Sequence, residues 1–178
     1  MTIRGYTMVV TMGEMVMDWQ VLAEKVGEGL TRRGLQLAVA ESCTGGGLAH
    51  AVTGVAGSSR WFDRGYVTYS NIAKIEMLGV QPATLTQYGA VSEATVREMA
   101  EGALARSRAQ MTVAITGIAG PGGGSPEKPV GSVWLAWSRR GRSTRTRLAH
   151  FPGDRDAIRR QAVESALRGV LDLLADED

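Results

Sequence analysis

The chain has 178 residues, of which 44% are hydrophobic and 21% charged, and its formal net charge is +2. These are ordinary values for a globular domain, and so small a net charge gives no indication of nucleic-acid binding. One cysteine and two histidines exclude an internal disulfide framework and argue against a zinc site, so we expect no metal and no cofactor.

The chain is expected to work in the reducing cytoplasm, since it has a single cysteine. No apolar run reaches the roughly 18 residues of a membrane-spanning helix, so we expect no membrane partner. Residues 1–17 carry five methionines and a short apolar patch and are predicted to form a poorly ordered N-terminal extension. Residues 18–178 are predicted to form one folded domain.

The first predicted elements are a helix and a buried strand. Asp18 is the predicted N-cap of a helix that ends near Arg33, because apolar residues recur inside it at helical spacing. Residues 35–40 form an apolar run that predicts the strand.

The turn after this strand, residues 40–47 with the sequence AESCTGGG, leads into a predicted helix over 48–53. It offers two hydroxyls and a thiol, and its three glycines let backbone approach a ligand closely. Free amides at a helix start can hold negative charge, so the turn could carry a nucleophile. From the local sequence alone, a helix cap formed by Ser42 or Thr44 is the favoured explanation of the same residues.

A second strand is predicted over 65–70, followed by a short helix over 72–78 with Asn71 as its cap. If the two strands run parallel, Ser42, Tyr69 and Lys74 meet at the carboxyl edge of the sheet, where ligands usually bind. Lys74 and Tyr69 could then exchange a proton with Ser42. An exposed helix lysine and a tyrosine packed on the sheet are the alternatives.

Histidine offers a weaker route to a base for Ser42. His50 lies about two turns along the same predicted helix and is too far away. His150 lies in a predicted strand, and the sequence does not exclude it as a base for Ser42.

The remaining elements complete an alternating pattern. A short helix over 82–87, a helix from Ser92 as N-cap to about 107 and a buried strand over 111–116 are followed by a glycine-rich loop. A hairpin over 130–138 and 144–151 precedes a last helix, about 155–174, with Asp154 as its cap. This order predicts an α/β fold, namely a three-layer α/β/α sandwich with a mixed, mostly parallel sheet.

Two further features could bind a ligand. The loop from Thr116 to Ser125 lacks the ending of a P-loop, yet its glycines could present amides to a sugar phosphate. A flexible lid is the alternative. Arg155 and Arg159, at the start of the last helix, could bind a phosphate or form internal ion pairs.

Seven motifs occur in a fixed order: AESCTGG at 40–46, GSS at 57–59, YSN at 69–71 with Lys74, GAVSE at 89–93, TGIAGP at 116–121, KPVG at 128–131 and FPGDR at 151–155. The chain thereby resembles the CinA C-terminal domain family, whose stand-alone members are nicotinamide mononucleotide deamidases. The resemblance covers about 18–174.

The resemblance implies an enzyme of NAD metabolism that hydrolyses the carboxamide of nicotinamide mononucleotide to nicotinate mononucleotide and ammonia. It implies Ser42 as the nucleophile, with Tyr69 and Lys74 assisting proton transfer, and a homodimer or larger homo-oligomer. Amides near 44–46 are expected to hold the oxyanion. The expected substrate-binding residues are Thr44, Gly45, Gly46, Asn71, Thr116, Gly117, Gly120, Gly124, Arg155 and Arg159.

Three alternatives remain at this stage. Cys43 could be the nucleophile on residues alone. The substrate could be a different pyridine nucleotide. The protein could instead be a non-catalytic interaction protein associated with competence and DNA damage, whose hairpin arginines, over 139–147, contact DNA or a recombinase.

Overall fold

A computed structural model describes residues 19–176 of the chain. The predicted extension over 1–17 and the predicted cap Asp18 lie outside the described residues. Five strands form one sheet in the order β2-β1-β3-β4-β5. Their bounds are β1 Leu37–Glu41, β2 Phe62–Val67, β3 Met111–Gly117, β4 Ser132–Arg139 and β5 Arg145–His150.

The sheet is mixed, as the sequence predicts. Strand β1 pairs in parallel with both β2 and β3, while β4 pairs antiparallel with β3 and with β5. Only β4 therefore runs against the other four strands. The carboxyl ends of β1, β2 and β3 share one edge, which is the usual position of a ligand site in such sheets.

Helices cover both faces of the sheet, which confirms the three-layer prediction. Their bounds are α1 Trp19–Arg33, α2 Gly47–Thr53, α3 Asn71–Ala73, α4 Pro82–Tyr88, α5 Glu93–Ala105 and α6 Arg155–Ala175. The helices α1, α2 and α6 bury one face, and α5 buries the other. No helix within residues 19–176 is both long and apolar enough to cross a bilayer.

Side-chain size explains how α5 approaches its face so closely. Ala40 pairs with Ala114, and Ala114 pairs with Ala136, so a row of small side chains crosses three strands beneath this helix. The opposite face carries larger side chains, such as Val39 and Ile115, under α1, α2 and α6.

The region between β2 and α3 differs from the sequence prediction. The strand begins at Phe62 and ends at Val67, since its partner β1 ends at Glu41. Ser70, rather than Asn71, caps the following helix, because its side-chain oxygen accepts a hydrogen bond from the Ala73 amide at 3.1 Å. The helix then widens into a π-helical turn over Lys74–Leu78.

Candidate active site

Ser42 follows β1 directly and is anchored to the neighbouring strand. Its amide donates a hydrogen bond to the Ile115 carbonyl at 3.0 Å. The residue is buried, with only 9% of its surface exposed to solvent. The candidate nucleophile therefore lies at the edge of the sheet, where its hydrogen bond to β3 fixes its main chain.

Glu41 organises the turn that follows. Its buried carboxylate accepts hydrogen bonds from the amides of Gly46 at 3.1 Å, Leu48 at 3.0 Å and Ala49 at 2.8 Å. The Gly45 amide donates to the Ser42 carbonyl at 3.1 Å. The amides of Gly45 and Gly46 are thus occupied, which corrects the expectation that they hold an oxyanion.

Lys74 reaches the same edge from the π-helical turn. Its Nζ lies 3.0 Å from Ser42 Oγ and donates to the carbonyls of Thr68 at 2.8 Å and Tyr69 at 3.3 Å. The side chain is only 1% exposed, and burial lowers the pKa of its ammonium because a charged group loses hydration there. The exposed-lysine alternative is therefore wrong.

Thr68 links the lysine to the strand that precedes Ser42. Its amide donates to the Glu41 carbonyl at 2.8 Å, one step beyond the last pair of β1 and β2. Its own carbonyl then accepts from Lys74. The strand end thereby sets the distance between the lysine and the serine.

Cys43 is adjacent to Ser42, but its thiol is a poor nucleophile near neutral pH. Burial raises the pKa of its thiol to about 11, and the charge of Glu41 adds to this shift. The thiol therefore stays protonated near neutral pH, where only a thiolate would attack a carbonyl carbon efficiently.

Tyr69 is placed differently from the sequence expectation. Its ring is largely exposed, and its hydroxyl accepts a hydrogen bond from Arg155 Nη2 at 3.0 Å. Arg155 Nη1 donates to the Gly120 carbonyl at 2.8 Å. Within residues 19–176, the contact of Tyr69 with Lys74 is made by its main-chain carbonyl, and its hydroxyl has no hydrogen bond to Ser42 or Lys74.

These side chains line a pocket of about 270 Å³ at the sheet edge. Four of the ten expected substrate-binding residues line it, namely Thr116, Gly117, Gly120 and Arg155. The Thr116 hydroxyl donates to the Ala90 carbonyl at 2.8 Å and so fixes the wall of the pocket.

Six expected substrate-binding residues do not line the pocket: Thr44, Gly45, Gly46, Asn71, Gly124 and Arg159. Thr44 and Arg159 lie behind the turn, where Arg159 Nη2 donates to the Thr44 carbonyl at 3.0 Å. Asn71 is exposed on α3. Gly124 packs on Val130, since an added Cβ would lie 2.8 Å from the Val130 amide nitrogen.

Sequence reasoning missed Ala90 and Val91 as pocket residues, and Glu41 and Thr68 as supports. The signal for the first two was the GAVSE motif, in which Ser92 is explained as a helix cap while Ala90 and Val91 have no such local role. No sequence signal identifies Thr68, because it acts through its main-chain carbonyl and not through its side chain.

The two histidines take no part in the pocket. The His50 ring packs edge-on against Trp19 with ring centroids 6.4 Å apart, and His150 Nδ1 lies 3.3 Å from Ser132 Oγ. Across the described chain, no group of three or more His, Cys, Asp or Glu side chains is placed to hold a metal ion.

Several hairpin arginines are engaged within the fold. Arg140 donates to the carbonyls of Leu104, Ser107 and Ala109. Arg147 lies over the Trp137 ring, with its guanidinium carbon 5.7 Å from the ring centroid. These contacts fix the two side chains against the fold, while Arg145 pairs with Asp176, which offsets part of the charge that the DNA-binding alternative requires.

Comparisons with known proteins identify the family of the chain. Residues 19–174 match the family model described as the CinA C-terminal domain. The chain is 56% identical over 147 residues to the nicotinamide-nucleotide amidohydrolase PncC of Escherichia coli K12, which covers 83% of this chain and 89% of that protein. The Pseudomonas putida protein of the same name is 54% identical over 152 residues, covering 85% and 94%.

A solved structure is similar over nearly the whole fold. The crystal structure of the competence/damage inducible protein CihA from Agrobacterium tumefaciens matches with a TM-score of 0.86 and 48% sequence identity. The match covers 91% of this chain and 99% of that one.

Proposed function

The chain belongs to the CinA C-terminal domain family and is a hydrolase of amide bonds, and from that premise we propose that it deamidates nicotinamide mononucleotide with Ser42 as nucleophile and Lys74 as base. Water is the second substrate, and the products are nicotinate mononucleotide and ammonia.

The observation that carries the proposal is the 3.0 Å contact between Lys74 Nζ and Ser42 Oγ. A neutral lysine amine has two N–H groups and one lone pair. The carbonyls of Thr68 and Tyr69 accept the two N–H groups, which leaves the lone pair for the Ser42 hydroxyl proton. Burial lowers the pKa of Lys74 and so favours this neutral form.

In the proposed reaction, Ser42 Oγ attacks the carboxamide carbon while its proton passes to Lys74 Nζ. The resulting ammonium then protonates the leaving nitrogen, so that ammonia departs and an ester with Ser42 remains. Lys74 next accepts a proton from the attacking water. Cleavage of the ester returns that proton to Ser42 Oγ and releases the carboxylate product.

The oxyanion of each tetrahedral intermediate needs donors other than the amides of Gly45 and Gly46. Ala119 and Gly120 line the pocket, and in the described chain their amides have no hydrogen-bond acceptor. We assign the oxyanion to these loop amides and to that of Cys43. Losing one such donor typically costs about 3 kcal/mol of transition-state stabilisation.

Arg155 is assigned to the phosphate of the substrate. Among residues 19–176 it is, besides Lys74, the only basic residue that lines the pocket, and its guanidinium lies between Tyr69 at the mouth and Gly120 in the loop. A guanidinium binds phosphate in a bidentate manner. The Tyr69 side chain is then assigned to orienting the substrate at the pocket mouth. The main-chain carbonyl of Tyr69 has a second role, since it accepts a hydrogen bond from Lys74.

The deciding experiment measures ammonia release from nicotinamide mononucleotide by the purified wild type and by Ser42→Ala, Lys74→Ala and Cys43→Ala. We expect Ser42→Ala to fall to background and Lys74→Ala to lose about 10²–10⁴-fold in kcat. Cys43→Ala is the matched control, since it alters the neighbouring side chain in the same turn, and it should retain activity.

Undiminished activity of Ser42→Ala, or loss of activity in Cys43→Ala alone, would overturn the assignment of the nucleophile. Parallel assays with free nicotinamide, its riboside and the dinucleotide test the substrate. Faster turnover of the riboside than of the mononucleotide would contradict the role given to Arg155. Assembly into a homodimer or larger homo-oligomer stays a prediction that light scattering can check.

A further inference from the structure

A second cavity lies behind the nucleophile turn, on the side of α1 and α6. It has a volume of about 170 Å³ and is lined by Trp19, Thr44, Gly47, Asp156, Arg159, Arg160 and Val163. None of these residues lines the pocket that contains Ser42 and Lys74. We refer to it as the Thr44 cavity.

Thr44 leaves an unsatisfied polar group at this cavity. The residue is fully buried, and within residues 19–176 its hydroxyl has no hydrogen-bond partner. Thr44 lines the cavity together with Gly47 and Val163, and an added Cβ at Gly47 would lie 4.0 Å from Thr44 Cβ and 3.5 Å from Val163 Cγ2. A buried hydroxyl without a partner is unfavourable, and a bound ligand can supply the missing hydrogen bond.

Arg159 supplies a second such group. Its Nη2 is used by the Thr44 carbonyl, whereas its Nε is buried and unpartnered in the described part of the chain. Arg160 adds a second guanidinium without an ion pair among those residues. The one acid of the lining, Asp156, is 85% exposed and lies 3.6 Å from Arg159.

These groups define the chemistry of a ligand. The Thr44 carbonyl already accepts two hydrogen bonds, from Gly47 and Arg159, so the free groups at the cavity are the Thr44 hydroxyl and guanidinium donors. Two arginines against one aspartate leave one positive charge in excess. The volume is several times the roughly 30 Å³ of one water molecule.

We propose that the Thr44 cavity binds a small oxyanion of the phosphate or sulfate type, at a site separate from the substrate pocket. The ligand accepts from the Thr44 hydroxyl and Arg159 Nε and neutralises the excess charge. Because Thr44 stands two residues after Ser42, an occupied cavity ties α6 to the nucleophile turn.

Calorimetric titration of the full chain with inorganic phosphate tests this, with chloride at matched ionic strength as the reference. We expect saturable binding at one site, weakened at least about tenfold in Thr44→Val, which corresponds to 1.4 kcal/mol. Thr53→Val is the matched control, because that hydroxyl is exposed and bonds to the Ala49 carbonyl. It should bind phosphate as the wild type does.

Arg155→Gln separates the two possible sites. Binding that survives in Arg155→Gln and is lost in Thr44→Val supports the Thr44 cavity. Binding lost in Arg155→Gln and kept in Thr44→Val places the anion at the pocket mouth and overturns the proposal, as does a wild type without saturable binding. If Thr44→Val fails to fold, Arg160→Gln replaces it, and unchanged binding in that variant overturns the proposal equally.

Discussion

Lys74 is held where its charged form is unfavourable, since the side chain is almost fully buried and no carboxylate of residues 19–176 lines its pocket. Hydration that the ammonium would keep in water is replaced by two carbonyl oxygens and one hydroxyl. Burial therefore lowers the pKa of this base and favours its neutral form, at some cost in stability.

Lys74→Arg tests whether proton acceptance, rather than positive charge, is what the site needs. Arginine keeps the charge but stays protonated at any accessible pH, so kcat/KM should fall by about 10²–10⁴-fold. Steady-state kinetics on the purified variant measure this. Lys128→Arg, at a lysine that donates to the Tyr88 carbonyl outside the pocket, serves as control. Activity retained in Lys74→Arg would contradict the assignment.

Lys74→Met tests the lowered pKa through stability. Below the ordinary lysine pKa of 10.5, the unfolded wild type binds a proton at this residue that the folded form binds less readily. The free energy of unfolding of the wild type should therefore rise with pH through the window below 10.5, relative to the variant. Urea unfolding of both proteins at several pH values measures the difference, and a difference independent of pH would refute it.

Among the elements, the junction of β1 and α2 depends on Glu41. Its carboxylate satisfies three amides at the start of α2, and its carbonyl accepts from Thr68, whose carbonyl in turn holds Lys74. One residue thereby connects the element that bears the nucleophile with the one that bears the base.

Glu41→Gln should disturb this junction with little change of volume. The side-chain amide places N–H groups against at least one backbone amide, so we expect a loss of about 1–3 kcal/mol in the free energy of unfolding. The kcat should fall more than KM changes, because Ser42 loses its anchored turn. Glu28→Gln, at an exposed position of α1, is the control for denaturant unfolding and kinetics. Equal stability of the two variants would count against this role.

The ends of the elements show what sequence can and cannot predict. Ser92 and Asp154 are predicted as helix caps and do accept the amides of Thr95 and Ala157, because capping is a local preference. The end of β2 is not predictable locally, since Val67, Thr68 and Tyr69 all favour strands. Its end is set by β1 and by the carbonyl contacts with Lys74, which are tertiary.

The same division applies at the site. Parallel strand order is enough to predict that Ser42 and Lys74 approach each other, and they do. Whether the Gly46 amide is free depends on the orientation of the Glu41 carboxylate, which the amino-acid sequence does not predict. Thr44 and Arg159 are predicted to bind the substrate, yet they lie on the opposite side of the turn and do not line the pocket.

Across the whole molecule, α6 connects the pocket with the far end of the sheet. It begins at Arg155 beside the pocket and later packs on β4, where Trp137 Nε1 donates to the Ala166 carbonyl at 2.9 Å. The contact is close because Gly169 faces the indole, and a Cβ at this position would overlap the ring of Trp137.

Gly169→Ala should therefore weaken the packing of the entire helix. The overlap with Trp137 predicts a loss of about 1–3 kcal/mol in the free energy of unfolding. Gly54→Ala is the matched control, because a Cβ there meets its nearest atoms at 3.4 Å, an ordinary contact, and its φ of −64° suits alanine. Thermal unfolding of both variants measures the effect, and a melting temperature unchanged in Gly169→Ala would contradict the packing argument.

The burial of Cys43 has a practical consequence for measuring motion in this protein. It is the only cysteine of the chain, and its thiol is both 6% exposed and protonated near neutral pH. A cysteine introduced on the surface, for example on α4 or at the hairpin tip, would react selectively with a maleimide dye or spin label. Pairs of such labels can report distances across the pocket mouth while the native thiol stays in place.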